Sequence, residues 1–254
     1  MLLPTITKKQ QDILLLLYRF RFLNRTQIQT ILNHKTFNRI NQWLKDLTDK
    51  NYTGKILDQS VKITTIPATY YLSRNGIKYL KTIPTCKKEY IQRIYADKSR
   101  SKDFITRSLF IADIYISLLQ KYANISGFTF YTQSDFSVDG IVKEIFPYFI
   151  YRKMEDKPYN ICEIFRENIP RFAIRSRITQ YLQFFTKGNW INNEQKPNVL
   201  FICSSDEMER YIFKQTLKFM NDEDVDLPVY VSTEDQIRRH GIDTDVWRKV
   251  ENLE

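Results

Sequence analysis

The chain has 254 residues, of which 43% are hydrophobic and 14% aromatic, with only 6 Gly and 8 Pro. That is enough apolar material for two small cores, and too little Gly and Pro for long linkers or extended disorder. The formal net charge is +10, and the surplus lies at one end: residues 1–102 hold 20 Lys and Arg against 6 Asp and Glu, a net of +14, whereas residues 103–254 hold 19 against 23, a net of −4.

Positive charge concentrated in this way points to a polyanionic partner for the N-terminal part. A membrane surface would also attract it. However, no helix pattern sets a Lys/Arg face against Trp and Phe, and no lipidation motif is present. The longest apolar run, Ile13–Tyr18, is too short to cross a bilayer. Met1-Leu2-Leu3-Pro4 has no basic stretch ahead of an apolar one, so no signal peptide is expected. Three scattered cysteines, Cys86, Cys162 and Cys203, suit a reducing cytoplasm, the last two as buried packing groups.

From Thr7 to Phe20 the apolar residues recur at helical spacing, with Ile13, Leu14, Leu16, Leu17 and Phe20 as the inward stripe and Thr7 as cap. A short break at residues 21–24 leads to a second helix, Arg25–Leu32, capped by Asn24 or Thr26. A third helix is expected over Lys35–Leu47. In it Phe37, Ile40, Trp43, Leu44 and Leu47 fall on one face and are expected inside. The opposite face carries Lys35, Thr36, Asn38, Arg39, Asn41, Gln42 and Lys45, with Asp46 as the only neighbouring acid. Arg can fork onto guanine, Asn and Gln onto adenine, and Lys can reach phosphate, so this face suits the major groove of duplex DNA. Arg25 and Gln27 on the second helix are further candidate contacts. A turn or strand start at Tyr52-Thr53-Gly54-Lys55, strands at Ile56-Leu57 and Thr69–Leu72, and a small helix from Ser73 complete a winged helix-turn-helix pattern. Lys55 and Lys62 on the wing would lie near the DNA backbone. Residues 83–103 read as a basic connector, partly helical around Ile91, Ile94 and Tyr95.

The rest reads as a helix over Phe104–Tyr122, strands at Phe128–Phe136, Ile145–Arg152 and Tyr159–Phe165, a helix over Pro170–Thr186, and a strand at Val199–Cys203. A helix over Asp206–Met220, a strand at Leu227–Val231 and a final helix near Thr233 follow. That order predicts helices flanking a mixed sheet. The fold class is therefore α+β, with domains at 1–82 (winged helix), 83–103 (connector) and 104–254 (α/β).

The run Ile13–Leu44 and the later runs Pro147-Tyr148, Ile161–Phe165, Ile178–Leu182 and Pro197–Ile202 resemble the replication-relaxation family of plasmid, phage and conjugative-element proteins. They also resemble relaxases whose catalytic domain has a restriction-endonuclease-like fold. The resemblance implies a DNA-binding protein of a mobile element, acting in control of replication, transcription or mobilisation. Duplex DNA would be its partner, with replication or transfer proteins beside it, and a homodimer would match inverted half-sites. Nucleases of that fold place an acid after a proline on one strand, and an acid-x-acid or acid-x-lysine on the next, to hold Mg²⁺. This chain departs from that pattern. Tyr148 follows Pro147, and Phe165 stands two residues after Glu163. Asp139, Glu144 or Glu155 would have to complete a metal site. Glu163 is thus expected to bind or brace, with Arg171, Arg175 or Arg177 as partner and no cofactor; the alternative is a Mg²⁺-dependent DNA-nicking enzyme using Glu163.

Other chemistries have weaker footing. Two histidines, His34 and His240, cannot form a metal-binding cluster, and the isolated glycines form no phosphate loop. Arg238-Arg239-His240 follows the last tyrosine, Tyr230, which is the wrong order for a tyrosine recombinase. No Ser or Cys nucleophile motif has a partner histidine.

Overall fold

The structure is a computed structural model that describes residues 3–57, 67–136, 145–187 and 195–251. It is a mixed α and β chain that divides into two compact units, residues 1–116 and 117–254.

The first unit opens with α1 (Lys8–Phe20). Thr7 starts it with a reciprocal cap: the Gln10 N–H donates to the Thr7 hydroxyl (3.4 Å), and the Thr7 N–H donates to the Gln10 side-chain carbonyl (2.8 Å). Ile13, Leu14 and Leu17 are fully buried. The helix stops at Arg21, whose φ of 70° is strained for a residue with a side chain. A buried ion pair holds that turn. Arg21 Nε donates to Asp97 Oδ2 (2.7 Å), Nη2 donates to Asp97 Oδ1, and Nη2 also donates to the Arg93 carbonyl (2.8 Å). Burial acts to lower the guanidinium pKa, but the Asp97 carboxylate outweighs it and holds the group above its ordinary value.

Next come β1 (Leu23–Asn24), α2 (Arg25–Ile31), α3 (Phe37–Asp49), β2 (Thr53–Ile56), β3 (Thr69–Leu72) and α4 (Arg74–Leu80). Asn24, rather than Thr26, caps α2, again reciprocally, with Gln27. The strands form an antiparallel sheet in the order β1-β3-β2. The sequence pattern missed β1 because a two-residue strand has no period to detect. It read residues 52–55 as a turn or strand start and placed the paired strand at Ile56-Leu57; β2 is Thr53–Ile56, and Leu57 is exposed. Gly54 faces Tyr71 across the β2–β3 ladder, and a Cβ there would come within 2.3 Å of the tyrosine ring, so any larger residue would force that ring to move. The stretch expected as a basic connector contains α5 (Lys88–Ile94) and a 3-10 turn (Asp97–Ser99). Its Tyr90 packs edge-on against Tyr18 at 5.2 Å, so it is part of the packed unit. The long α6 (Lys102–Tyr122) begins in the first unit and ends in the second.

In the second unit a six-stranded sheet runs in the order β4 (Thr129–Thr132), β5 (Phe149–Arg152), β6 (Asn160–Phe165), β7 (Asn198–Cys203), β8 (Val229–Thr233) and β9 (Arg248–Lys249). β6, β7 and β8 are parallel to one another and the outer pairings are antiparallel. Helical crossovers α7 (Arg171–Thr186) and α8 (Asp206–Asp222) link the parallel strands and pack on each other. β6 is buried at every position, including its two polar residues, Asn160 and Glu163. Ile161, Phe165, Ile178, Tyr181, Leu182, Phe201, Ile212 and Val231 belong to one core. Ser205 caps α8, whose first turn carries Asp206, Glu207 and Glu209 where the helix dipole favours acids. Thr233 caps α9 (Glu234–His240). The expected strand at Phe128–Phe136 is shorter, because an Asp135-centred turn accepting from the Thr132 N–H ends it. All three cysteines are buried and unpaired with one another.

Removing one partner of the Arg21–Asp97 pair leaves a buried charge uncompensated. Asp97→Ala should lose about 3–5 kcal/mol of stability in urea unfolding, and Arg21→Met with Asp97→Leu should recover most of that loss.

Candidate nucleic-acid interface

The orientation of α3 is set by its apolar side. Ile40, Leu44 and Leu47 are fully buried, and α3 packs on α1, α2 and β2. The opposite side therefore faces solvent. Asn38, Arg39, Gln42 and Lys45 are exposed there and Asn41 is half-buried at its edge; Lys35 and Thr36 are exposed just before the helix, which starts at Phe37 rather than at Lys35. Among the described residues, none of these lysines and arginines forms an ion pair. The Arg39 Nη1 donates to Gln42 (3.3 Å) and its guanidinium lies 5.7 Å from the centre of the Trp43 ring, which holds an otherwise flexible side chain along the helix. Lys55 on β2 is exposed, whereas Lys62 lies outside the described residues.

Acid is kept off most of this surface. Asp46 accepts from Gln10 Nε2 (2.6 Å) and Lys50 Nζ (2.9 Å), and Lys50 also donates to the Thr5 carbonyl (2.9 Å). The Lys50 hydrogen bond, outweighing partial desolvation and helped by Gln10, holds the Asp46 carboxyl below its usual range, so its charge persists but is matched. Asp49, in the last turn of α3, is exposed.

Two sequence expectations change. Gln27 is only 3% exposed, so it leaves the set of candidate contacts. Its side-chain carbonyl caps α2, and its amide donates to the Leu109 carbonyl (2.9 Å) and to Asp113 Oδ1 (2.6 Å). Phe37, expected inside from its spacing with Ile40 and Leu44, is 50% exposed. It is the first residue of α3, one turn before the first fully buried residue of the helix, Ile40. The half-buried Arg25 places its guanidinium 5.4 Å from the Phe37 ring centre. No periodicity signals such a position; its place at the helix start does.

In the second unit the resemblance singles out Glu163, at the centre of β6 and 5% exposed. Arg177 meets it from α7, with Nη2 at 2.8 Å and Nε at 3.2 Å from Oε2, and the Tyr181 hydroxyl donates to the same oxygen at 2.7 Å. Of the three arginines proposed as partners, Arg177 is the one engaged; Arg171 pairs with Glu207 and Arg175 donates to the Tyr211 hydroxyl. Desolvation acts to lower the Arg177 pKa, but Glu163 and Tyr181 outweigh it and hold it above the ordinary value. Burial, then the neighbouring carboxylate, pushes Tyr181 well up, so it stays protonated as donor. Arg166, on the other side of the strand end, pairs with Glu234 (2.8 Å). Among the described residues no group of three or more His, Cys, Asp or Glu could hold a metal ion. Glu155 is exposed in the β5–β6 connection, and Asp139 and Glu144 lie outside the described residues. Chemically, the Glu163 cluster is a neutralised buried charge that ties α7 to β6.

The sequence matches no protein-family model and none of the curated proteins compared with it. Among the described residues, no helix is long and apolar enough to cross a membrane.

Arg177→Ala should destabilise the protein by about 3 kcal/mol, because it strands the Glu163 carboxylate in the core, while Tyr181→Phe should cost about 1 kcal/mol. Urea unfolding monitored by circular dichroism measures both. A gain in stability from Arg177→Ala would contradict the bracing role.

Proposed function

We propose that the first unit is a winged helix-turn-helix that binds a specific site in duplex DNA. In this reading the N-terminal part of α3 enters the major groove, and the β2–β3 pair forms the wing beside it. The observation that carries the proposal is the outward face of α3, where Asn38, Arg39, Gln42 and Lys45 stand exposed, with Lys35 exposed just before the helix, while the nearby Asp46 is matched by Lys50 and Gln10. The element order α1-β1-α2-α3-β2-β3, with its three-stranded sheet, supports the same reading. So does a net charge of +14 in residues 1–102.

Arg39, Asn38, Asn41 and Gln42 read base edges. Lys35, Lys45, Arg25 and Lys55 meet phosphates, with Thr36 at the helix start. The second unit takes a restriction-endonuclease-like fold whose catalytic carboxylates are reduced to Glu163, now a brace, and it serves assembly or partner docking. With the resemblance to the replication-relaxation family, the protein acts on plasmid or phage DNA in control of replication, transcription or mobilisation.

Selection from a random duplex pool with the full chain, followed by fluorescence anisotropy, tests this. One sequence should be enriched, and Arg39→Ala should weaken binding to it by about 1–3 kcal/mol. With about six phosphates neutralised, the log–log salt slope should be about −5, and Lys45→Ala should reduce its magnitude by about 1. A salt-independent affinity, or no retained duplex, would overturn the proposal.

A further inference from the structure

We infer that Phe37 is a specificity-determining residue of this site and that it takes the C5 methyl group of a thymine in the major groove. The inference rests on the DNA-binding reading above and deepens it. Phe37 shares the spacing of Ile40 and Leu44, which are fully buried, yet half its surface is open to water. An aromatic ring left in water at the first position of α3 gains stability if a partner covers it. Its neighbours Lys35, Thr36, Asn38 and Arg39 are all exposed and polar, so the partner that covers the ring must also satisfy hydrogen-bond donors and positive charge. A protein core does not do that. A duplex groove does, and thymine is the base that offers an apolar group on the major-groove side.

The ring is also held in place. The Arg25 guanidinium lies over it, 5.4 Å from the ring centre, and Arg25 is the first residue of α2, directly after the Asn24 cap. A ring fixed in this way loses little freedom on binding, which favours discrimination of one methyl group over a diffuse apolar contact.

The test uses the full chain and the duplex site enriched by selection. Each thymine is replaced in turn by deoxyuridine, which removes the methyl group and leaves every hydrogen-bonding atom in place. For the wild-type protein, one such replacement should weaken binding about fourfold, the equivalent of about 0.8 kcal/mol for a single buried methyl. In Phe37→Ala the same replacement should change affinity less than twofold. Phe37→Leu should restore part of the discrimination, and Lys45→Ala should retain all of it. A merely structural role for Phe37 predicts something else: Phe37→Ala would weaken binding to thymine and deoxyuridine duplexes alike, with the discrimination intact. That result, a selected site without thymine, or no deoxyuridine effect at any position would overturn the inference while leaving DNA binding itself in place. If no duplex is retained in the selection, the DNA-binding reading fails first.

Discussion

Burial of Ile40, Leu44 and Leu47 fixes the rotation of α3, and the character of the exposed surface follows from that rotation. Each of these side chains contributes about 1.5–3 kcal/mol by leaving water. A turn of the helix by one residue, about 100°, would bring Asn41 and Lys45 inward and push aliphatic groups out. The cost of burying an amide and an ammonium without partners would add to the loss. The helix therefore has one orientation, and its amides and guanidinium are presented by the same packing that stabilises the unit. The matched Asp46 belongs to this arrangement: it lies next to the outward face in sequence, but Gln10 and Lys50 draw its carboxylate towards α1.

The second unit solves a different electrostatic problem. A carboxylate stands in the middle of a fully buried strand, flanked on both sides by apolar residues. A metal ion is one way to compensate such a charge; a bidentate guanidinium with a phenol is another. Arg177 and Tyr181 provide the second, and both come from α7, four residues apart and so on one face of the helix. The compensation leaves Glu163 inside the core as an anchor between sheet and helix.

Much of this was legible in the sequence, for physical reasons that differ from element to element. α1 and α3 have strong 3.6-residue periodicity and sit half in and half out, so most of their buried residues could be read from spacing, although Leu16 and Trp43 are only half-buried. β7 is a continuous apolar run ended by polar residues, which marks a central parallel strand. The partner of Glu163 could be narrowed to three arginines but not chosen, because the choice depends on how α7 rotates over β6. Gln27 was misread for a related reason. A glutamine on a short helix looks solvent-facing until a distant carbonyl, that of Leu109, claims its amide. Phe37 shows the opposite failure: periodicity assigns a direction but not the point at which the covering surface runs out. The break at residues 21–24 was legible but not the ion pair that holds it, since nothing local to residues 19–23 announces an acid 76 positions away.

The burial of all three thiols has a practical consequence. Desolvation raises the pKa of Cys86, Cys162 and Cys203, so the folded chain presents no ready thiolate to electrophiles. A cysteine introduced on an exposed position of α3 would be the sole fast-reacting site. Spin or fluorescent labels could then be attached to the ridge without first removing any native sulfur, and thiol release on heating would separately report when each core opens.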